Sequence, residues 1–317
     1  MIQTAAEPAL MSSHWLGIPI AAAGAVLLAL GTLFQHRSIE KQGPAPGHAA
    51  GSMGGGRLQA LVRKPVWLGG TAMLAVAIIL QLTSLRFSPL IVVQPIGAVA
   101  LVVTTLATAR TSRRSPGRRA LIAVALCVGG VGAFVSVAAV SARDVEVSDR
   151  HLITILALLG VVLAGLGTGF VLWRHRWGAV IFTCGAGILF GFVAALAKTV
   201  IARLFQGDFE WLSLTCLAGL VIAALSGTFL VQNAHTRGTP DLVVAGLTVI
   251  DPLVAVAVGV TILGEADAAP PLAFVAFVLA GATAVAGVFL LATVKRPASR
   301  PPSRGHGRGA DPSAVGR

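Results

Sequence analysis

The chain has 317 residues, of which 56% are hydrophobic and only 11% charged, and its mean hydropathy is +0.86. That balance excludes an ordinary soluble domain, which could not hide so much apolar surface. The net charge of +12 lies in short loops between apolar stretches and in the C-terminal segment, a distribution suited to anionic lipid headgroups; nucleic acid is excluded as a partner because no aromatic-interleaved basic domain exists to bind it.

Residues 1–14 contain neither Lys nor Arg, so the apolar span after them lacks the positive flank of a secretory signal. They are expected to form an extracellular N-terminus before a retained first helix. Nine segments are then apolar over a membrane-crossing length: residues 15–34, 66–85, 89–109, 120–140, 151–172, 178–200, 211–231, 240–263 and 271–293. At about 1.5 Å per residue each reaches across roughly 30 Å of hydrocarbon. The expected fold class is therefore all-α, a polytopic bundle of about nine transmembrane helices. A cytoplasmic loop, residues 37–64, carries a Gly/Pro/His-rich linker at 43–56, and residues 294–317 read as a disordered basic tail.

With the N-terminus outside, nineteen of the 24 Lys and Arg residues fall in cytoplasmic segments. Only Arg86, Arg143, Arg150 and Arg203 fall outside, and Lys198 lies within a span. The outer loops hold acids instead: Asp144, Glu146, Asp149, Asp208, Glu210, Glu265 and Asp267. The positive-inside rule thus places the C-terminus inside.

An offset of 151 residues gives a gap-free internal match. Gln81, Arg86, Pro89, Val92 and Val103 meet Gln232, Arg237, Pro240, Val243 and Val254, and Gly130 and Ala133 meet Gly281 and Ala284. The matched helices are five apart in the count, so they cross the membrane in opposite senses. Residues 15–140 then form one half, 178–293 an inverted second half, and 151–172 a linker helix. Inverted repeats of this kind mark alternating-access transporters.

Asp251 stands near the middle of the eighth span, beside Pro252. An ionisable residue at that depth is costly and by default functional. Pro252 has no amide hydrogen, which leaves the Thr248 carbonyl without a helical partner and free to face a ligand, ion or water. Pro95 in the third span aligns with Gly246 in the eighth, with Gln94 alongside, and such helix-weakening residues at corresponding places point to a central site. Pro95, Gly246 and Pro252 are accordingly expected to break their helices. A structural Asp and simple packing kinks are the plain alternatives.

Lys198 lies near the outer end of the sixth span, where its side chain is expected to snorkel to the interface; the alternative is an approach to Asp251. Gln35, Gln81, Gln232 and Asn233 sit at helix ends and either line a vestibule or meet headgroups. Cys127, Cys184 and Cys216 fall inside apolar spans as packing residues, and no His pair has zinc-site spacing. Gly165, Gly167 and Gly169 imitate a dinucleotide loop without a preceding strand. No nucleophile and base are arranged in the spans, so neither enzymatic activity nor a cofactor is expected. If any metal binds, Asp251 is the residue to hold it.

The stretch from Gln232 through Pro240, Asp241, Leu242, Val243 and Val244, then Ile250, Asp251, Pro252, Leu253 and Val254, to Leu263, Gly264 and Glu265, resembles the EamA-like drug/metabolite transporter superfamily. It is similar in particular to the branch that includes the NIPA-type magnesium transporters and many actinobacterial members. The segment ending Ala194, Ala195, Leu196, Ala197, Lys198 looks like the first helix of that family's second half. Typical members have ten helices, and Ser112, Arg113 and Arg114 stand where the second half has Leu263, Gly264 and Glu265. The resemblance implies a transporter without naming a cargo.

The expected function is secondary transport of a small metabolite or xenobiotic, coupled to protons or cations. A magnesium transporter is the runner-up and a non-transporting membrane scaffold or sensor the rival from another class. The partners are the lipid bilayer and a small molecule or ion, and a homodimer is left open. The low Lys-to-Arg ratio, with abundant Ala and Gly, points to a GC-rich bacterial source and so to a bacterial cytoplasmic membrane. At the centre of the bundle we expect a mainly apolar cavity, walled by the third and eighth spans with the first and sixth.

Overall fold

The structure, a computed structural model, describes residues 7–40, 64–111, 117–143, 145–173, 175–207, 210–238, 240–267 and 269–293. The expected linker at 43–56 and the tail at 294–317 lie outside the described residues, as do Asp144, Arg174 and Asp208. The helices are α1 (Glu7–Glu40), α2 (Pro65–Phe87), α3 (Leu90–Ile96), α4 (Val99–Thr111) and α5 (Arg118–Ser141). They continue as α6 (Asp149–Trp173), α7 (Ala179–Gln206), α8 (Trp211–Arg237), α9 (Pro240–Thr261) and α10 (Pro271–Thr293). Among the described residues there is no strand, and nine segments are long and apolar enough to cross a membrane, α3 and α4 together making one of them.

Two boundaries depart from the sequence reading. Helix α1 starts at Glu7, ahead of the expected span, and runs on to Glu40. Its Pro8 falls in the first turn, where a missing amide hydrogen costs nothing, and no breaker stops the far end. The third span is not one helix: it breaks between Ile96 and Val99, just after Pro95. There Gly97, Ala98, Ala100 and Leu101 each donate to the carbonyl three residues back, at 3.1 Å, so the chain passes through a tightened turn. Pro95 supplies the cause, because its ring displaces the carbonyl of Ile91 and removes one rung. In α9, by contrast, the chain stays helical through both Gly246 and Pro252, so the breaks expected there are absent.

Large apolar side chains face outward along the spans, among them Ile79, Val171 and Val278, each more than three-fifths exposed. Hydrocarbon is their natural surrounding, since a helix satisfies most of its backbone groups internally. The most enclosed span is α7, with 61% of its apolar window buried against 11% for α2. Its run of small residues explains this: Gly185, Ala186, Gly187, Gly191, Ala195 and Ala197 are all buried, so α8 and α9 lie close against it.

Glycines set the tightest seams. Along α1, Gly17, Gly24 and Gly31 repeat every seven residues on the face that meets α2, and a side-chain carbon at Gly31 would stand 2.9 Å from the Gly70 carbonyl. The Gly31→Val variant should therefore lose about 1–3 kcal/mol of stability, read as a lower melting temperature in detergent. Unchanged melting would show that this seam can open without cost. Between α5 and α10 the approach is closer still: a side-chain carbon at Gly130 would lie 2.4 Å from the Ala284 amide nitrogen, and one at Gly287 would lie 2.4 Å from that of Cys127.

These pairs also give the direction of the chain. As the α5 position rises from Cys127 to Gly130, its α10 partner falls from Gly287 to Ala284, so the two helices are antiparallel. In the same way Leu90 at the start of α3 meets Gly259 near the end of α9. Helices related by the 151-residue offset thus lie side by side in opposite senses, which is the geometry an inverted repeat requires.

Candidate functional site

The α3/α4 break and α9 wall an apolar crevice of about 70 Å³. Pro95 and Ala98 come from one side, Thr248, Val249, Pro252, Leu253 and Val256 from the other, and Thr248 carries the sole polar side-chain atom of the lining. The remaining walls differ from expectation. They are Val131 and Phe134 of α5 with Gly281, Ala284, Val285 and Val288 of α10, rather than the first and sixth spans. Close α5–α10 packing brings those two helices under the Pro95 turn, while α7 is occupied on the opposite face of α9. A second crevice, about 400 Å³, lies between α1 and α5, lined by Trp15, Ile18, Pro19, Gly132, Val135, Ser136 and Ala139.

Asp251 sits on α9 between the crevice residues Thr248 and Pro252, on the side toward α7. A side-chain carbon at Gly187 would lie 3.4 Å from the Asp251 amide nitrogen, and one at Gly191 would lie 3.0 Å from its carbonyl oxygen. The GxxxG spacing of α7 therefore lets its backbone straddle the position of the acid. The Oδ1 atom of Asp251 is buried and has no hydrogen-bond partner. An unsatisfied carboxylate oxygen inside a membrane bundle is expensive to keep.

The structure brings Pro95, Thr248 and Pro252 together in the crevice, with the buried Gln94 next to Pro95 in the chain, while Asp251 lies on the α7 side of α9 and does not line it. It carries Lys198 elsewhere. That side chain does not snorkel: the residue is only 3% exposed, and its Nζ donates to the carbonyls of Leu85 at 2.9 Å and Ser88 at 3.1 Å. A helix C-terminus leaves its last carbonyls without internal partners, and the end of α2 captures the ammonium instead of the headgroups. Gly246 meets α7 through the Thr183 methyl, 2.5 Å from where its side-chain carbon would lie.

The four vestibule candidates line neither crevice. Gln35 donates to Thr71 Oγ1 at 3.0 Å across the α1–α2 seam, and Asn233 folds back onto the Phe229 carbonyl at 2.8 Å. Gln81 is half-buried and Gln232 exposed. Gly169, from the dinucleotide-like run, lies within α6 and packs on the Trp177 ring, 2.7 Å from its would-be side-chain carbon.

One residue that sequence reasoning assigned to an outer loop is central. Glu265 is 1% exposed, and its two carboxylate oxygens accept from the Leu90 amide at 2.7 Å and the Ile91 amide at 2.8 Å. The tight turn before it, with Gly264 at φ 68°, aims the side chain inward. Its only sequence signal is a Gly-Glu pair closing an apolar span, which does not reveal a partner 175 residues away. The repeat-related arginines also find aromatic partners, both on α7: Arg86 stacks 3.3 Å from the Phe205 ring centroid, and Arg237 lies 4.9 Å from that of Phe182.

Nine apolar segments of spanning length and outward-facing apolar side chains, among the described residues, define a multi-pass α-helical membrane protein. An uncharacterized protein of Corynebacterium glutamicum is 29% identical to it over 259 residues, covering 80% of this chain and 87% of that relative. No protein-family model matches the chain, and no solved structure matches it.

Proposed function

We propose that the chain is a secondary transporter of the drug/metabolite type that works by alternating access and moves a small metabolite or xenobiotic, with Asp251 as its proton- or cation-coupling group. The observation that carries this reading is the placement of Asp251: a buried carboxylate oxygen without a hydrogen-bond partner, on the α7 side of α9, the helix whose other face walls the apolar crevice. A crevice of about 70 Å³ is far below the roughly 300–1,000 Å³ of a drug-sized pocket. The crevice beside α9 is thus read as occluded, with cargo space at that place opening when the halves rock apart. An apolar lining favours a small amphipathic cargo over magnesium, which takes several oxygen ligands.

Proteoliposome flux decides between them. Metabolite flux driven by a pH gradient supports the reading, and magnesium-specific flux that vanishes in Asp251→Asn would promote the cation transporter. Absence of flux for every cargo would favour the scaffold or sensor.

The charge distribution puts the N-terminus outside and the C-terminus inside a bacterial cytoplasmic membrane. A cysteine at Val145, exposed in the α5–α6 connection, is expected to react with an impermeant thiol reagent in intact cells, and one at His175 in the α6–α7 connection to be shielded. The opposite labelling pattern would invert the orientation.

A further inference from the structure

Helix α2 ends at Phe87 and α3 begins at Leu90, so one end of the bundle holds a two-residue bend between a helix C-terminus and a helix N-terminus. Such ends leave carbonyls and amides without internal partners, and inside a membrane protein those groups must be met by protein. Two charged residues of the second half meet them. Lys198 from α7 donates to the Leu85 and Ser88 carbonyls, and Glu265 from the α9–α10 turn accepts from the Leu90 and Ile91 amides. Each charge matches the dipole of the helix end it touches, positive at the C-terminus and negative at the N-terminus.

The surroundings are built for this contact. Ser88, Leu90 and Ile91 are fully buried. Gly259 leaves room for the carboxylate, since a side-chain carbon there would stand 2.7 Å from Glu265 Oε2. The Glu265 backbone is held on both sides: its amide donates to the Gly259 carbonyl at 3.0 Å, and its carbonyl accepts from the Arg143 amide at 2.9 Å. The repeat does not duplicate the acid, because Ser112, Arg113 and Arg114 occupy the matching positions in the first half. The two ends of the bundle therefore differ chemically.

We propose that Lys198 and Glu265 form a two-point latch by which the second half grips the α2–α3 bend of the first and holds this end of the bundle closed. Two buried charges give such a latch a sharp open–closed choice: charge-assisted bonds to backbone are strong when made, and both charges must find water when they break. The halves rock apart at this end only when both contacts release together. This inference rests on the alternating-access reading, but its test needs no cargo, so a failed latch and a failed transporter give different results.

The reporter is a Val256→Cys substitution in the crevice lining, with Cys127, Cys184 and Cys216 replaced by Ala. The probe is an impermeant thiol reagent applied to one face at a time of reconstituted vesicles. In Lys198→Met and in Glu265→Gln, labelling from the bend face should accelerate about tenfold or more, the shift expected for a lost charge-assisted hydrogen bond. Labelling from the opposite face should not rise. A rise from both faces would show a loosened fold, and unchanged rates in both variants would show that the contacts hold nothing shut; either overturns the latch. Should the neutral variants fail to fold, Glu265→Asp keeps the charge but shortens its reach, and a wild-type rate there overturns the proposal equally.

Discussion

Replacing Asp251 by Asn is expected to abolish gradient-driven flux in proteoliposomes while leaving expression, membrane insertion and melting temperature close to wild type. The amide keeps the shape of the carboxylate and removes only its ionisation, so packing against α7 at Gly187 and Gly191 is preserved. What is lost is an ionisable group whose buried Oδ1 has no hydrogen-bond partner, the site where a proton or cation would be taken up. Without an ionisable group at this position there is nothing to take up the driving ion, so gradient-driven flux should fall to the uncoupled background. Stability should not fall with it, because an unpartnered carboxylate contributes little to the resting fold. Full flux in the Asn variant would establish that Asp251 is structural. A collapse of both flux and melting temperature would point the same way.

The Gly130→Leu variant is expected to lose a large share of stability, as is Gly287→Leu, because these two glycines make the tightest approaches in the α5–α10 seam. Even one added carbon would meet the Ala284 amide nitrogen at 2.4 Å, its α-carbon at 2.8 Å and the Ala280 carbonyl at 2.9 Å. All three are backbone atoms, so no side chain can swing aside and the helices themselves must separate. Overpacking usually costs about 1–3 kcal/mol, and a site with no flexible neighbour belongs at or above the top of that range. The adjacent Gly129 is the control: nothing lies within 4 Å of its would-be side-chain carbon, and the residue is exposed. Thermal unfolding of Gly130→Leu and Gly129→Leu in the same detergent should differ sharply. Equal melting temperatures would show that the seam is not what holds the matched helices together.

Much of the architecture was legible because exclusion of charge from hydrocarbon acts on each stretch of chain separately. The nine apolar spans needed no knowledge of neighbours, and the offset of 151 residues matches α3 and α5 in sequence with α9 and α10. The break at Pro95 was also readable, since proline acts on its own turn. The same rule failed at Pro252, where α9 remains helical. A proline removes one rung wherever it stands, but whether the helix then parts depends on what surrounds it: α9 is pressed along Gly187 and Gly191 of α7, whereas Gly97 follows two residues after Pro95.

The candidate site divides in the same way. Depth along a span marked Asp251, Pro252, Thr248 and Pro95, and depth is a local property. Lys198 was assigned to the lipid interface, and the loop position of Glu265 gave no hint of what it holds, because their partners Leu85 and Leu90 lie 113 and 175 residues away in the chain. The walls of the crevice were misassigned to the first and sixth spans for a related reason. By itself the sequence determined how often this chain crosses the membrane and which of its residues are costly to bury there, since each follows from transferring a short segment from water to lipid. Only the tertiary structure decided which bare helix ends those costly charges satisfy, because that depends on which helices pack together, and the close approaches at Gly130, Gly187 and Gly259 set it.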